Sequence, residues 1–377
     1  MKFIARHYQT QQLLKIEIEQ DIYSQIQVLN SSETAPWIAP SLVDIQINGF
    51  GRVDFNQTIS AQEWQQACQS LYSQGCTHFL ATFITTHIDN LEKLLKNVEK
   101  LRQENPLNCV GFHLEGPFLN PEPGYHGVHD PQEMIPCDLE LFKKWQSLAP
   151  HAIRLITLAP EIEPKKSLPF IRSVTQQNIR VAIGHSSATG TLLQQAVEAG
   201  ATGWTHLGNG LPQEIHKFEN PIFHALAQPE LFCSLIPDGV HLPAHAFSVF
   251  AKALKNRLLL TTDATAAAGA AAGHYTLGKI SITRDKGVHS RETETQKLAG
   301  STLTPFETVF RAAKLSDKPW QEMWDAYSTR PAQWLGFHSH TIEKNNEASF
   351  CLFTDQPRPH LLATVHQGKC VGGKIKN

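Results

Sequence analysis

Glu115, His185, His206 and Asp263 are the residues whose types and placing first suggest chemistry. Each ends or follows a short apolar run: Glu115 closes CVGFHLE before Gly116-Pro117, His185 lies in AIGHSSATG, His206 in GWTHLGNG and Asp263 in LLLTTDATAAAG. Taken singly, each has an ordinary reading. A carboxylate before Gly-Pro is a turn residue, a histidine after an apolar run caps a helix or packs in a core, and an aspartate N-caps the next segment. Taken together, one carboxylate and two imidazoles are a catalytic zinc ligand set that leaves a coordination position for water. A further carboxylate beside them can take the proton from that water. The chemistry indicated is metal-assisted hydrolysis.

Such a set works only if the chain folds to bring the four together. Eight short apolar runs lie between residues 42 and 262: Leu42–Gln46, Thr77–Thr82, Cys109–His113, Ile153–Leu158, Ile179–Ile183, Thr202–Thr205, Leu231–Ile236 and Arg257–Thr262. Short runs bounded by turn residues suit strands buried on both faces. Helical patterns fall between most of them. Ser60-Ala61-Gln62-Glu63 reads as a capping box opening a helix to about Gln74; a second helix opens on Asp89, and others are expected over Leu168–Gln177, Thr191–Ala199 and Pro243–Asn256. Alternating strands and helices imply parallel strands with right-handed crossovers, and eight units make an α/β fold of the (β/α)8 TIM-like barrel type. An open doubly wound sheet is the alternative, but INGFGRVDFN after the first run is not a glycine-rich phosphate loop leading into a helix. Barrels keep their chemistry at the carboxyl ends of their strands. Those ends carry, in order, Gln46 and Asn48, Thr85-Thr86, Glu115, Glu161, His185, His206, Asp238 with His241, and Asp263.

Both flanks read as short strands, so residues 1–41 and 338–377 are expected to form one small β-sandwich domain, with the barrel over 42–337 inserted between them. The stretch from about Ala268 to Gly300 is expected to be a β-hairpin excursion after the last barrel strand. Composition sets broad limits. A 41% hydrophobic, 18% charged chain of 377 residues is ordinary for a globular protein. A net charge of −2 gives no reason to expect nucleic acid or an anionic membrane as partner. No apolar run reaches the roughly 20 residues that span a bilayer, and the N-terminal segment lacks the pattern of a secretion signal. Seven scattered cysteines without a CxxC pair exclude a disulfide framework and a cysteine-built zinc site. A cytoplasmic location is expected.

The segments DIQINGFG, GCTHFLATFITT, GFHLEGPFLNPEPGYHG, ITLAPE, GHSSAT, THLGNGLP, PDGVHL, TDATAAAG and LAGSTLT carry a more specific likeness. Through them the chain resembles the N-acetylglucosamine-6-phosphate deacetylase family of the amidohydrolase superfamily along nearly its full length. The resemblance implies a distorted barrel with a small β-sandwich from both termini. It implies that Glu115, His185 and His206 hold one divalent metal ion per subunit. Glu/His2 suits Zn2+, with Fe2+, Co2+ or Mn2+ as alternatives. Asp263 matches the aspartate that activates the hydrolytic water and then protonates the leaving amine. His126, in PGYHG, matches a histidine that polarises the acetamide carbonyl, and His241 a substrate-contacting histidine. Asn209 and Gly210 match the loop whose backbone holds the sugar phosphate. The implied reaction releases acetate from N-acetyl-D-glucosamine 6-phosphate to leave glucosamine 6-phosphate. The implied assembly is a homodimer in which the neighbouring subunit completes the phosphate site.

Three departures qualify the match, one of them only a turn, where Pro40-Ser41 replaces the usual Pro-Gly before the first strand. Many amidohydrolases carry HxH after the first strand and hold two metals, whereas this chain has Gln46-Ile47-Asn48, which points to a single-metal centre. Where the family often has an arginine reaching the neighbouring subunit's substrate, this chain has IHKFEN, so Lys217 is the candidate phosphate ligand. Lysine is a point charge and makes no bidentate fork. N-acetylgalactosamine 6-phosphate or an unphosphorylated N-acetylhexosamine therefore stand as alternative substrates. A catalytically silent sugar-phosphate-binding protein is the alternative from another class, but it is expected to lack Asp263 or a metal ligand, and none is missing here.

Overall fold

The computed structural model describes residues 1–337 and 341–375. All eight expected runs form strands: Leu42–Ile47, Cys76–Ile84, Cys109–Glu115, Ile153–Leu158, Arg180–Ile183, Gly203–Trp204, Phe232–Leu235 and Leu258–Leu260. They pair in sequence order as one parallel sheet. Ile47 bridges Ala264 in parallel just beyond the eighth strand, bringing the sheet's two edges together as a barrel. Asp44 reinforces that seam. Its buried carboxylate accepts hydrogen bonds from the Thr261 and Thr262 hydroxyls at 2.6 and 2.5 Å and from the Tyr327 hydroxyl at 2.5 Å. Burial alone raises its pKa, and these donors oppose that rise. A buried polar layer lies inside the barrel, where His113 Nε2 and the Thr157 and Thr205 hydroxyls join in a chain with 2.7 Å links.

The helices agree with the sequence signals, with small shifts at their ends. The capping box forms as expected, with Glu63 N–H donating to Ser60 Oγ and Ser60 N–H to Glu63 Oε2. The second helix starts at Ile88 with His87 as its cap, because Asp89 N–H donates to His87 Nδ1. The helix expected over Leu168–Gln177 begins at Pro164. Proline at the first helical position gives up no hydrogen bond, since that N–H has no partner within a helix.

The chain ends build a separate sheet-rich domain of seven strands, hydrogen-bonded in the order Lys369–Gly373, His360–His366, Phe350–Thr354, Trp37–Pro40, Lys2–His7, Leu13–Glu19, Ile22–Leu29. N- and C-terminal strands meet where Trp37–Pro40 runs antiparallel to Phe350–Thr354. The expected boundary at 338 lies outside the described residues. Trp324 joins the domain to the barrel: its ring stacks on Phe353 at 4.6 Å, and its Nε1–H donates to Pro40 O at 2.7 Å.

The excursion after the eighth strand differs from expectation. In place of one hairpin there are four antiparallel strands, Gly273–Leu277, Ile280–Arg284, His289–Glu292 and Leu298–Ser301, paired in consecutive order. Each reversal falls at a turn, at Gly278 (φ +59°), at 285–288 and at 293–296. The last strand returns the chain to the barrel, where Ser301 N–H donates to Asp263 O at 2.8 Å.

Candidate active site

The carboxyl end of the barrel brings Glu115, His185 and His206 into one buried cluster. One ligand atom from each lies within 4.8 Å of the others. His206 Nε2 is 2.8 Å and His185 Nε2 3.5 Å from Glu115 Oε1. Among the described residues no lysine or arginine pairs with Glu115. Burial would push its carboxyl upward, but the facing imidazoles hold it well below the usual range. A buried carboxylate is costly without a cation. His206 Nδ1 is buried and has no hydrogen-bond partner among the described residues. His185 Nδ1 donates to Tyr125 O at 2.6 Å, which turns Nε2 toward the carboxylate. The donor set thus fits a divalent cation, with Glu115, His185 and His206 as its ligands.

The local chain geometry is specialised for this placement. His185 (φ +52°), His206 (φ +31°) and Asp263 (φ +50°) all adopt left-handed backbone conformations, uncommon for residues other than glycine. Each turns its side chain inward as the strand ends. Gly116 (φ +99°) must be glycine, because a Cβ there would lie 2.1 Å from Thr85 Oγ1. Gly210 (φ +63°) backs onto the His185 ring, where a Cβ would come within 2.7 Å of Nδ1.

Asp263 lies across the cluster. Its Oδ1 accepts from Gln46 Nε2 at 3.0 Å and Asn48 Nδ2 at 2.7 Å. Gln46 and Asn48, at the end of the first strand, are therefore amide donors that aim a carboxylate. Burial, and then the nearby Glu115 charge, raise the Asp263 pKa. Glu161, at the end of the fourth strand, is a clamp. It accepts from Ser186 Oγ at 2.7 Å, Ser187 N at 2.6 Å and Asn120 Nδ2 at 2.9 Å, fixing the loop that carries His185. Asp238 plays the same part for His241, accepting from its Nδ1 at 2.6 Å and from the backbone N–H groups of Val240 and His241 at 2.8 Å. Burial opposes ionisation of Asp238, yet these donors hold its pKa below the ordinary value.

Glu115, His185, His206, Asn209, Gly210, His241 and Asp263 line one cavity. His126 is not among its walls. It lines a neighbouring cavity of about 320 Å³ beside Thr86 and Lys279, with its Nδ1 3.2 Å from His129 O. The histidine that reaches the cluster is His129, three residues later in GVHDP. It is buried, its Nε2 is 3.9 Å from Glu115 Oε2, and its ring meets that of His185 edge-on at 4.7 Å. Thr85 N–H donates to His129 Nδ1, so Nε2 carries the proton and points a donor into the site. Burial, then His185, lowers its pKa to about 3, so the ring is neutral. Two histidines in one loop were the sequence signal; only burial tells them apart.

Lys217 is exposed, with Nζ 5.2 Å from the Phe218 ring centroid, and does not line this chain's cavity. Two cations of the four-stranded excursion, Arg291 and Lys297, adjoin the site. They line a groove of about 700 Å³ that shares Asn209, Gly210 and His241 with the catalytic cavity.

No protein-family model matches the chain. It is 33% identical over 309 residues to the N-acetylglucosamine-6-phosphate deacetylase of Bacillus subtilis (strain 168), covering 79% of this chain and 75% of that protein. It is 29% identical over 313 residues to the N-acetylgalactosamine-6-phosphate deacetylase of Escherichia coli O157:H7, covering 82% and 81%. The fold matches a structure of N-acetyl-D-glucosamine-6-phosphate deacetylase from Mycobacterium smegmatis, an Asp-to-Ala mutant in complex with N-acetyl-D-glucosamine-6-phosphate. That match has a TM-score of 0.89 at 23% identity and covers 99% of both chains.

Proposed function

The chain belongs to the N-acetylglucosamine-6-phosphate deacetylase family of the amidohydrolase superfamily, and on that premise we propose how its barrel mouth carries out the reaction. The substrate is N-acetyl-D-glucosamine 6-phosphate, and hydrolysis of its acetamide leaves glucosamine 6-phosphate and acetate. Glu115, His185 and His206 would hold a divalent cation, which when bound would lower the pKa of water toward about 7 and polarise the carbonyl. We assign it as Zn2+ from the His2Glu donor set.

Asp263 takes the proton from the attacking water. Its Oδ1 is already engaged by Gln46 and Asn48, so Oδ2 is the oxygen that accepts. The same oxygen returns the proton to the amide nitrogen as the C–N bond breaks, which makes the amine a competent leaving group. His129, in place of His126, donates its Nε2–H to the carbonyl oxygen as negative charge develops there. His241, oriented by Asp238, and the Asn209-Gly210 turn receive the sugar. Arg291 and Lys297 receive the phosphate within the same chain; Lys217 reaches a phosphate only across a subunit boundary. A homodimer remains part of this reading, supported by the exposed Phe218 and Phe223 beside Lys217, as does a cytoplasmic location.

The observation that most supports this reading is the Glu115–His185–His206 cluster with Asp263 opposite it. Acetate release, measured with metal-quantified protein on N-acetylglucosamine 6-phosphate, N-acetylgalactosamine 6-phosphate and N-acetylglucosamine, tests it. The expected order of kcat/KM places the first substrate highest and the unphosphorylated sugar lowest. A preference for the galactosamine ester would move the assignment to the second substrate, and a preference for the plain sugar would remove the phosphate role. Asp263→Asn is expected to abolish acetate release while the metal stays bound, and near-normal turnover by that variant would refute the proton-transfer role.

A further inference from the structure

A second group of metal-binding side chains comes together at the other end of the barrel. His78 is the third residue of the strand Cys76–Ile84, Glu347 precedes the strand Phe350–Thr354, and His366 ends the strand His360–His366. One ligand atom from each lies within 4.8 Å of the others. The His78 and His366 rings meet edge-on, with centroids 5.4 Å apart and planes at 85°. All three residues are half-buried.

Each member is held by a neighbour. Thr77 Oγ1 lies 2.8 Å from His78 Nδ1, and Ser349 Oγ lies 3.2 Å from His366 Nδ1. Ser349 Oγ also donates to Glu347 Oε1 at 2.8 Å, and Gln367 Nε2 to Glu347 Oε2 at 3.3 Å. A polar partner on one ring nitrogen is how proteins orient the other toward a metal. Ligand atoms about 2.1 Å from a tetrahedral ion lie roughly 3–4 Å apart, so small side-chain rotations close the remaining distance. Two imidazoles and one carboxylate suit a borderline divalent transition metal, and partial exposure lets water complete its shell.

The site is separate from the catalytic one. Ile84, which pairs with Glu115, is six residues further along the same strand as His78. At about 3.3 Å per residue the two clusters are on the order of 20 Å apart. His78 belongs to the barrel, whereas Glu347 and His366 belong to the terminal sheet domain. An ion there bridges the two bodies and takes no part in hydrolysis. We propose that His78, Glu347 and His366 form a second divalent transition-metal site that takes Zn2+ and staples the sheet domain to the floor of the barrel.

Zn2+ itself is the probe, with bound metal counted after equilibrium dialysis of the full chain and Tm measured with and without the ion. Wild type is expected to hold two Zn2+ per chain, and His366→Gln one, with acetate release retained. A Glu115→Ala/His206→Ala variant is expected to hold one and still gain Tm on adding Zn2+. Adding His366→Gln to that variant is expected to remove both the ion and the gain. One Zn2+ in wild type, with none in Glu115→Ala/His206→Ala, would overturn the proposal. The Glu115→Ala/His206→Ala measurement decides the matter even if His366→Gln does not fold. Stoichiometry and Tm also stand apart from activity, so a wrong assignment of the deacetylase reaction leaves this test intact.

Discussion

Replacing His129 by Leu removes the proposed donor to the carbonyl oxygen while roughly preserving side-chain volume. The Nε2–H is fixed by the Thr85 N–H on the opposite ring nitrogen, and it points into a buried site beside Glu115. Loss of one preorganised donor of this kind costs roughly 100- to 1,000-fold in kcat, or about 3–4 kcal/mol of transition-state stabilisation. Because the bond strengthens as charge develops, the loss is expected in kcat with KM little changed. His129→Gln, whose amide supplies a donor at similar reach, is expected to recover part of the rate. His126→Leu is expected to stay within about threefold of wild type, because that ring faces the neighbouring cavity. The assay is steady-state acetate release, with bound metal measured for each variant so that a disturbed Glu115 or His185 is recognised. If His126→Leu loses as much as His129→Leu at equal metal content, the reassignment is wrong. If His129→Leu keeps near-normal kcat with its metal bound, the carbonyl-polarising role is wrong.

Three other perturbations have defined outcomes. Glu161→Ala removes the acceptor that fixes Ser186, Ser187 and Asn120 around His185, so metal affinity at the barrel mouth is expected to fall about 10- to 100-fold, with activity recovering at high metal concentration; unchanged affinity by dialysis would show that the loop holds itself. Arg291→Ala with Lys297→Ala is expected to raise KM for the 6-phosphorylated sugar by roughly tenfold or more, the range of one or two charge-assisted hydrogen bonds, and to leave the unphosphorylated sugar unaffected, whereas an equal change for both sugars would place these cations elsewhere in the reaction. Asp54 is buried and its pKa is raised from 3.8 to about 6, chiefly by burial and despite donors from Asn56 N, Gly278 N and Thr276 Oγ1; the folded chain therefore keeps this proton to higher pH than the unfolded chain, and its contribution, about 3 kcal/mol at 1.36 kcal/mol per unit, is present below about pH 4 and lost as pH rises through 6. Urea midpoints across pH 4–7 are expected to show this fall in wild type and a flatter profile in Asp54→Asn, and parallel profiles would refute it.

The barrel strands were legible because a strand buried on both faces announces itself locally, as an uninterrupted apolar run between turn residues. Ile153–Leu158 matches its expected bounds at both ends, and Gly203–Trp204 shows how short such a run can be and still be read from its place in the alternation. Convergence of Glu115, His185 and His206 followed from the barrel, but placement within the loops was not legible. His126 and His129 share a loop and a chemistry, and what separates them is which one Thr85 and the His185 ring enclose. Lys217 carries the right charge at the expected position in sequence, yet its side chain lies over Phe218 at the surface. Arg291 and Lys297 sit in a stretch read as a plain hairpin; only its fold into four strands, with Ser301 tied back to Asp263, carries them to the groove.

Four carboxylates around the barrel show why residue type at a strand end is a weaker guide than the donors around it. Asp44 meets three hydroxyls and is saturated, so it closes the seam between the first and eighth strands and has no acceptor to spare for chemistry. Glu161 meets serine and asparagine donors on both oxygens and so holds a loop. Among the described residues Glu115 meets only imidazoles, with His206 Nε2 at 2.8 Å and His185 Nε2 at 3.5 Å, a donor set that a divalent cation can share. Asp263 has both of its amide donors on one oxygen, and among the described residues the other makes no hydrogen bond. That asymmetry is what a proton carrier requires, since one oxygen anchors while the other exchanges. It also explains why Gln46 and Asn48 suit this chain where imidazoles would not. Two amide N–H groups donate to Oδ1, whereas a neutral imidazole carries one N–H and one lone pair and so offers a metal a ligand as readily as it offers the carboxylate a donor.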